Sequence, residues 1–385
     1  MKKLIYAYSA GRSDFDRYYI ILKELNLLNN VNLKIIASNV HYSKKFGETI
    51  KEIKKKKFSI INRNAYKSYD YEKSFKIEVS FLVNLFKRRK PDIIIVLGDR
   101  YEMLAAAATA IGFNIPIIHI FGGAVTVGAT DELNRHAITK MSHFHLVAHE
   151  KYARRLFQLG EEKWRVKVIG IPELKYLKKL PTHDNKYLYK IIKLNLDKPT
   201  LLVNFHPITN DLNNTKKYLN NLLLSLSRFN FQIIFTYPNA DKKNNEIINK
   251  IKKFINLKKK YKKKYIFIKN AGDVIYKNLL EKCKIIIGNS SSGIVEAASF
   301  KLPSINIGDR QEGKIIPLNV INSSYKAKDI TNAIKKAQNK YFLKKLKYMK
   351  NPYEKKINPK SIALYISQLK INKKLIKKNF INIKI

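Results

Sequence analysis

The run Ile93-Ile94-Ile95-Val96-Leu97-Gly98-Asp99-Arg100-Tyr101-Glu102 decides the fold. Five consecutive apolar residues, four of them β-branched, stop at a glycine. A strand with one solvated face alternates apolar and polar residues. A strand that does not alternate is covered on both faces, as in a parallel sheet between helix layers. Asp99 then stands just beyond the carboxyl end of a buried strand, and a helical pattern follows over Glu102–Ile111.

The same punctuation recurs on both sides of this run. Strands are predicted at Leu4–Tyr8, Leu33–Ala37, Ile93–Leu97, Ile117–Phe121, Phe144–Ala148 and Val166–Ile169. Helices are predicted between them at Phe15–Leu28, Ser74–Lys87, Glu102–Ile111 and Leu133–Ser142. The rhythm pauses near 178–198, where Pro181-Thr182-His183-Asp184-Asn185 and Pro199 fall. It restarts with strands Leu201–Phe205, Ile233–Thr236, Tyr265–Ile268, Ile285–Ile287 and Ser304–Ile307. Its helices are Lys217–Phe229, Asn245–Phe254, Val274–Cys283 and Ile294–Phe300. Strands alternating with helices make βαβ units and parallel sheets. The expectation is an α/β protein of two Rossmann-like domains, 1–182 and 183–385, facing across a cleft at the carboxyl ends of their strands. The tail Lys370–Ile385 alternates lysine pairs with Ile, Leu and Phe and is expected to pack back on the body.

Composition narrows the function classes. The 385 residues carry 76 Lys+Arg against 29 Asp+Glu, a formal charge of +47. Only 12 of the 76 are arginine, and the chain is also rich in Ile and Asn. Readers of bases lean on the planar fork of arginine. The excess of lysine reads as solvated helix faces, and no specific nucleic-acid partner is expected. The single cysteine, Cys283, excludes an internal disulfide framework and a cysteine zinc cluster. The basic start lacks the long apolar stretch of a signal peptide. Met103–Thr130 has no charged side chain, but Asn114, Pro116, Gly122 and Gly123 divide it into helix, turn and strand. It is read as core and not as a membrane span. A cytoplasmic protein is the expectation.

Chemistry-bearing groups gather where strands end. Ile285-Ile286-Ile287-Gly288-Asn289-Ser290-Ser291-Ser292-Gly293 passes from a buried strand through two glycines and three hydroxyls into a helix. Backbone N–H groups and serine hydroxyls there suit a phosphate, and Glu296 suits a ribose. Neither the Gly-Lys-Ser/Thr of a P-loop nor a Gly-x-Gly-x-x-Gly is present. Asp99 is either a general acid or base or the cap of the helix that follows. Arg12 follows the first strand in Ser9-Ala10-Gly11-Arg12-Ser13-Asp14. Asp131 opens a helix beside Glu132, Arg135 and His136. His206, in Phe205-His206-Pro207, and Asn239, in Tyr237-Pro238-Asn239-Ala240-Asp241, end strands of the second half. A histidine beside a phosphate site is suited to protonate or neutralise a leaving diphosphate. His143 and His145, at a strand start, read as core.

Taken in order, these motifs resemble the hydrolysing UDP-N-acetylglucosamine 2-epimerase family. They are Gly98-Asp99-Arg100-x-Glu102-Met103-Leu104-Ala105-Ala106, His119-Ile-x-Gly-Gly, Asp131-Glu132 with Arg135–Lys140, Phe205-His206-Pro207, Tyr237–Asp241, Gly288–Ile294 and Asn306–Gln311. The resemblance spans roughly residues 4–370. It implies a glycosyltransferase-B arrangement, with Asp99, Asp131 and His206 catalytic or beside the diphosphate. It implies that Ser290 and Ser291 contact the diphosphate and Glu296 the ribose, with Arg12, Asn239 and Arg310 helping to bind the nucleotide. It implies loss of UDP from C1 with removal of the C2 proton, then hydration of the glycal to the 2-epimer, N-acetylmannosamine or a diacetamido relative. It further implies no cofactor and no metal, and a homo-oligomer.

The chain departs from the family at Phe121 and Ala124, and at Glu354-Lys355-Lys356, where members usually carry Gly-Asp-Gly. Members commonly read His-Ile-Glu/His-Gly-Gly-Glu, where this chain has Phe121 and Ala124. Phe121 transfers no proton, so either Asp99, Asp131, Glu132 or His136 does that work, or the reaction or substrate differs, or activity is low. Two rivals stay open: a glycosyltransferase using a UDP-sugar donor, and a nucleotide-sugar-binding protein with reduced catalysis.

Overall fold

The computed structural model describes residues 2–44, 47–63, 71–125, 131–208, 211–238, 244–259, 264–379 and 381–382. These form two six-stranded sheets in which every strand pairing is parallel. The first sheet contains β1 (Lys3–Ser9), β2 (Val31–Ala37), β3 (Ile93–Leu97), β4 (Ile117–Ile120), β5 (Phe144–Val147) and β6 (Val166–Val168). Their order is β2-β1-β3-β4-β5-β6. The second contains β7 (Thr200–Asn204), β8 (Gln232–Thr236), β9 (Tyr265–Ile268), β10 (Ile285–Gly288), β11 (Ser304–Ile307) and β12 (Val320–Ser323). Their order is β12-β11-β10-β7-β8-β9.

The strand order marks one crevice in each sheet. In the first sheet the chain runs from β1 outward to β2, then returns to lay β3 on the other side of β1. In the second it runs from β7 outward to β9, then lays β10 on the other side of β7. At such a switch point neighbouring loops leave in opposite directions and open a crevice at the carboxyl ends of the strands. The β1/β3 and β7/β10 junctions are therefore the natural ligand positions.

Burial on both faces accounts for the unbroken apolar runs. In the second sheet Leu201 and Val203 enter one core cluster and Leu202 the opposite one. Ile285 and Ile287 divide from Ile286 in the same way, and so do Ile233 and Phe235 from Ile234. Successive side chains point to opposite faces, so both must be apolar. Cys283 is buried in this core, which pushes its thiol up to about 12 and keeps it protonated.

Four expectations are revised. β4 ends at Ile120, one residue early, because Phe121 turns into the left-handed region. The edge strand β12 was not anticipated; Asn322 and Ser323 interrupt its apolar pattern. The helix expected over Ile294–Phe300 is reduced to a 3₁₀ turn, Ser291–Gly293, and a single α-turn, Glu296–Ser299. The domain division also differs from 182/183. One compact unit comprises Met1–Ala124, Asp131–Glu173 and Lys355–Ile385, and the other is built on Leu174–Glu354. The reason is burial: Leu177, on the Glu173–Lys179 helix, joins the second unit's core, whereas Ile362, Ala363 and Ile366 join the first unit's core.

The tail closes on the first unit through ions more than through an apolar helix face. Among its described residues only Lys373–Ile376 is helical. Buried Arg165 donates to the carbonyls of Lys374, Leu375 and Lys377 at 2.8–3.0 Å. Lys378 Nζ in turn reaches the carbonyls of Thr139, Lys140 and Ser142 at 2.7–3.1 Å. Those carbonyls lie at the C-terminal end of the Asp131–Met141 helix, where a cation is favoured by the backbone dipoles. Among the described residues no helix is long and apolar enough to cross a membrane.

Candidate active site

In the first unit, Gly98 leaves β3 with φ +74° and delivers Asp99 to the carboxyl edge of the sheet. Asp99 is not the helix cap: Arg100 occupies the N-cap of Tyr101–Gly112. The Asp99 carboxylate is instead ion-paired to Nη2 of Arg135, which is buried while Asp99 remains 27% exposed. Arg135 Nη1 also meets Glu132 and donates to the Ala124 carbonyl at 2.7 Å. Burial lowers Arg135 to about 10, which leaves it a cation at neutral pH. One fixed guanidinium thus joins the Gly98–Asp99 turn, the His119–Ala124 turn and the helix that begins at Asp131.

His119 supports this arrangement from beneath. It is fully buried, and Nε2 lies 2.8 Å from the Gly98 carbonyl, so Nε2 carries the hydrogen. Nδ1 is then free to accept from the Thr139 hydroxyl at 3.3 Å. Burial pushes His119 down to about 3, and it is a neutral prop. The glycines beside it are required by contact. A Cβ on Gly122 would meet His119 Nδ1 at 2.9 Å, and one on Gly123 would meet the Tyr152 carbonyl at 2.5 Å. Phe121 lies between, partly buried against the core, with φ +65°. A bulky residue in that region is strained, and strain of this kind gathers at functional turns. His143 and His145 are core residues, as expected; His145 faces buried Glu161 at 3.0 Å.

The β1 turn brings further groups to the same edge. Arg12 opens the Arg12–Asn26 helix, 38% exposed and 3.5 Å from Asp16. Asp14, two residues on, has one oxygen, Oδ2, buried with no hydrogen-bond partner among the described residues. Burial lifts its carboxyl to about 7; Arg100 and Arg17 oppose the rise, and Glu102 and Asp131 add to it. Asp131 itself is partly buried at the start of the Asp131–Met141 helix.

In the second unit, buried Asn289 is the hub. Its side-chain oxygen accepts from the His206 N–H at 2.7 Å, and its amide donates to the His206 carbonyl at 2.9 Å. Its own carbonyl accepts from Arg310 Nη1 at 3.0 Å and Gln311 Nε2 at 2.8 Å. His206 and Arg310 are thereby held at the end of the β7/β10 junction. Burial, and then the Arg310 charge, push His206 down to about 3. In this state it offers a neutral ring to a ligand and not a positive charge. Gly288 has φ +148°, and a Cβ there would fall 1.9 Å from the Asn204 carbonyl, so no side chain fits. Ser290 accepts from the Ser292 N–H at 3.4 Å, and the Ser292 hydroxyl meets that of Tyr276, which also receives the Asn204 amide at 2.7 Å. Glu296 is buried at the start of the single α-turn. Asn239 lies outside the described residues.

Asp99 and Asp131 thus lie on one edge of the first unit, and His206, Ser290, Ser291 and Arg310 at one junction of the second. Asp14 and Asn289 were not singled out from sequence. Asp14 satisfied the same criterion as Asp99, a carboxylate just past a buried strand and a glycine. The hub role of Asn289 has no sequence signal, because it depends on bonds to residues 83 and 22 positions away.

A family model described as UDP-N-acetylglucosamine 2-epimerase matches residues 23–367. The chain is 39% identical over 347 residues to the GDP/UDP-N,N'-diacetylbacillosamine 2-epimerase (hydrolyzing) of Campylobacter jejuni, with 89% of each covered. It is 32% identical to the UDP-N,N'-diacetylbacillosamine 2-epimerase (hydrolyzing) of Legionella pneumophila, covering 90% of this chain and 91% of that one. The crystal structure of UDP-GlcNAc 2-epimerase from Neisseria meningitidis bound to UDP-GlcNAc superposes with a TM-score of 0.78 at 18% identity. The match covers 95% of this chain and 99% of that one, and it establishes the shared fold.

Proposed function

Because the chain belongs to the UDP-N-acetylglucosamine 2-epimerase family, we propose a hydrolysing 2-epimerase whose substrate is a UDP-linked diacetamido sugar, N,N'-diacetylbacillosamine. The observation that carries the substrate choice is the 39% identity, across 89% of both chains, to an enzyme named for that sugar. UDP-N-acetylglucosamine is the second reading, favoured by the family description. Phe121 supports the first: an apolar side chain where a carboxylate is common suits a substrate with more methyl surface.

In the proposed reaction a carboxylate of the first unit removes the C2 proton. The C2–H electron pair forms the C1–C2 double bond, and the C1–O pair leaves with UDP. Water then adds its oxygen to C1 while a proton is delivered to C2 from the opposite face. Asp99 is the proposed base, because its pairing with Arg135 keeps it oriented. Asp131 is the second proposed carboxylate. In the second unit Arg310, Ser290, Ser291 and the ring of His206 are proposed to receive the diphosphate. Glu296 is proposed for the ribose, with Arg12 and Asn239 assisting nucleotide binding.

The test is NMR product analysis in D₂O with each UDP-sugar and no acceptor. The expected result is UDP plus a free 2-epimer carrying deuterium at C2, formed faster from the diacetylated substrate. Release of UDP only after an acceptor is added would establish a glycosyltransferase instead. Tight UDP binding with no release would establish a binding protein.

A further inference from the structure

The proposed reaction needs two proton-handling groups of opposite character: one that takes the C2 proton and one that returns a proton to the other face. Two carboxylates whose surroundings differ this way reveal their roles. In the first unit Asp99 is tied to the Arg135 guanidinium. Asp14 has no such tie: Oδ2 is covered and has no hydrogen-bond partner among the described residues. Asp99 stands two residues past β3 and Asp14 in the first turn of the Arg12–Asn26 helix that follows β1, and these two strands are adjacent and flank the switch point.

We propose that Asp14 is a further catalytic residue, the acid that protonates C2 in the hydration step, taking the place of the family glutamate absent at Phe121. The inference rests on the epimerase reading above. The step balances as follows. Asp14 gives its proton to C2, the C1–C2 double-bond pair accepts it, and water oxygen bonds to C1. The proton shed by that water restores Asp14, and the one Asp99 took from C2 passes to solvent.

The surrounding charges keep Asp14 suited to this role. Arg100 and Arg17 pull towards the ionised form, Glu102 and Asp131 push towards the protonated form, and burial adds to the latter. A carboxyl near 7 is divided between the two forms at neutral pH, as a proton carrier should be. Arg100 is itself engaged by Glu102, at 3.2 and 3.3 Å, which reduces its pull.

The test is Asp14→Asn, assayed separately for UDP release and for formation of the 2-epimer. The expected result is a fall of about 10²–10⁴-fold in epimer formation, with UDP release continuing and the glycal accumulating. Asp14→Glu should restore epimer formation in part, which a purely structural role would not produce. Epimer formation at the wild-type rate in Asp14→Asn would overturn the proposal, as would an equal loss of both steps not relieved by Asp14→Glu. Failure of the wild-type protein to release UDP at all would instead remove the epimerase reading itself.

Discussion

Asp99 and Arg135 lie 36 positions apart in sequence, yet their side chains form one ion pair at the edge of the first sheet. The pair is asymmetric. Arg135 is 3% exposed and anchored on the Ala124 carbonyl, whereas Asp99 remains open to solvent. The cation is therefore a fixed part of the scaffold, and the carboxylate is the member of the pair left accessible.

Asp99→Asn keeps the shape and removes the proposed base. Turnover is expected to fall by about 10²–10⁴-fold, with UDP affinity largely retained, because the groups proposed to receive the diphosphate, Ser290, Ser291, His206 and Arg310, lie in the other unit. Steady-state kinetics and UDP titration calorimetry check both halves. Unchanged turnover would show that the pairing with Arg135 is structural only.

Asn289→Ala removes both side-chain bonds to the His206 backbone and leaves a buried N–H and a buried carbonyl unpaired. Each unpaired group costs about 1–3 kcal/mol. The expected outcome is weaker UDP binding together with a lower unfolding midpoint in urea, measured on the same preparation.

Gly288→Ala tests the close approach of β10 and β7. The added Cβ would fall on the Asn204 carbonyl, so the backbone must move. A loss of about 1–3 kcal/mol or more is expected from the strained conformation alone. Thermal unfolding reports it, and nucleotide binding should decline in parallel. Wild-type stability would show that the turn has room to relax.

Lys378→Met tests the tail. Burial pushes Glu161 up, but His145 and Lys378 outweigh it and carry it down to about 2. A carboxylate depressed on folding gives stability that is complete above its unfolded value, about 4.3, and is lost as pH falls towards 2. Removing Lys378 should raise Glu161 and move acid unfolding to higher pH. Lys378 is lowered by burial to about 8, so the wild-type protein should also gain stability between pH 8 and the unfolded lysine value. The variant should lack that gain. Circular dichroism across pH 2–10 follows both limbs.

The central strands were legible because burial on two faces demands apolar residues at every position, as in Ile93–Leu97 and Ile285–Ile287, whereas the outer β2 and β6 were read from mostly apolar runs that admit Lys34 and Lys167. Edge strand β12 escaped because Asn322 and Ser323 need no cover. The turns after β3 and β10 were legible through glycine and the polar residues beside it, and the turn after β7 through His206 and Pro207. The outcome at Asp99 was not: the local sequence leaves it free to cap the helix, and the structure gives the N-cap to Arg100 and pairs the Asp99 carboxylate with Arg135. The helix after Ser290 was overextended for a similar reason. Ile294 to Phe300 has helical spacing, but the chain there follows a 3₁₀ turn and one α-turn.

The sequence by itself determined the two-sheet α/β class, the strand ends that carry polar groups and, through its motifs, the family. Each follows from residue type and short spacing, which act within a few positions of the chain. The tertiary structure alone decided that Arg135 holds Asp99, that Asn289 organises His206 and Arg310, that the tail from Lys355 belongs with the first unit, and that one oxygen of Asp14 is left covered without a hydrogen-bond partner among the described residues. The physical reason is that hydrogen bonding and desolvation depend on which distant side chains arrive at one place. Folding sets that, and local sequence does not.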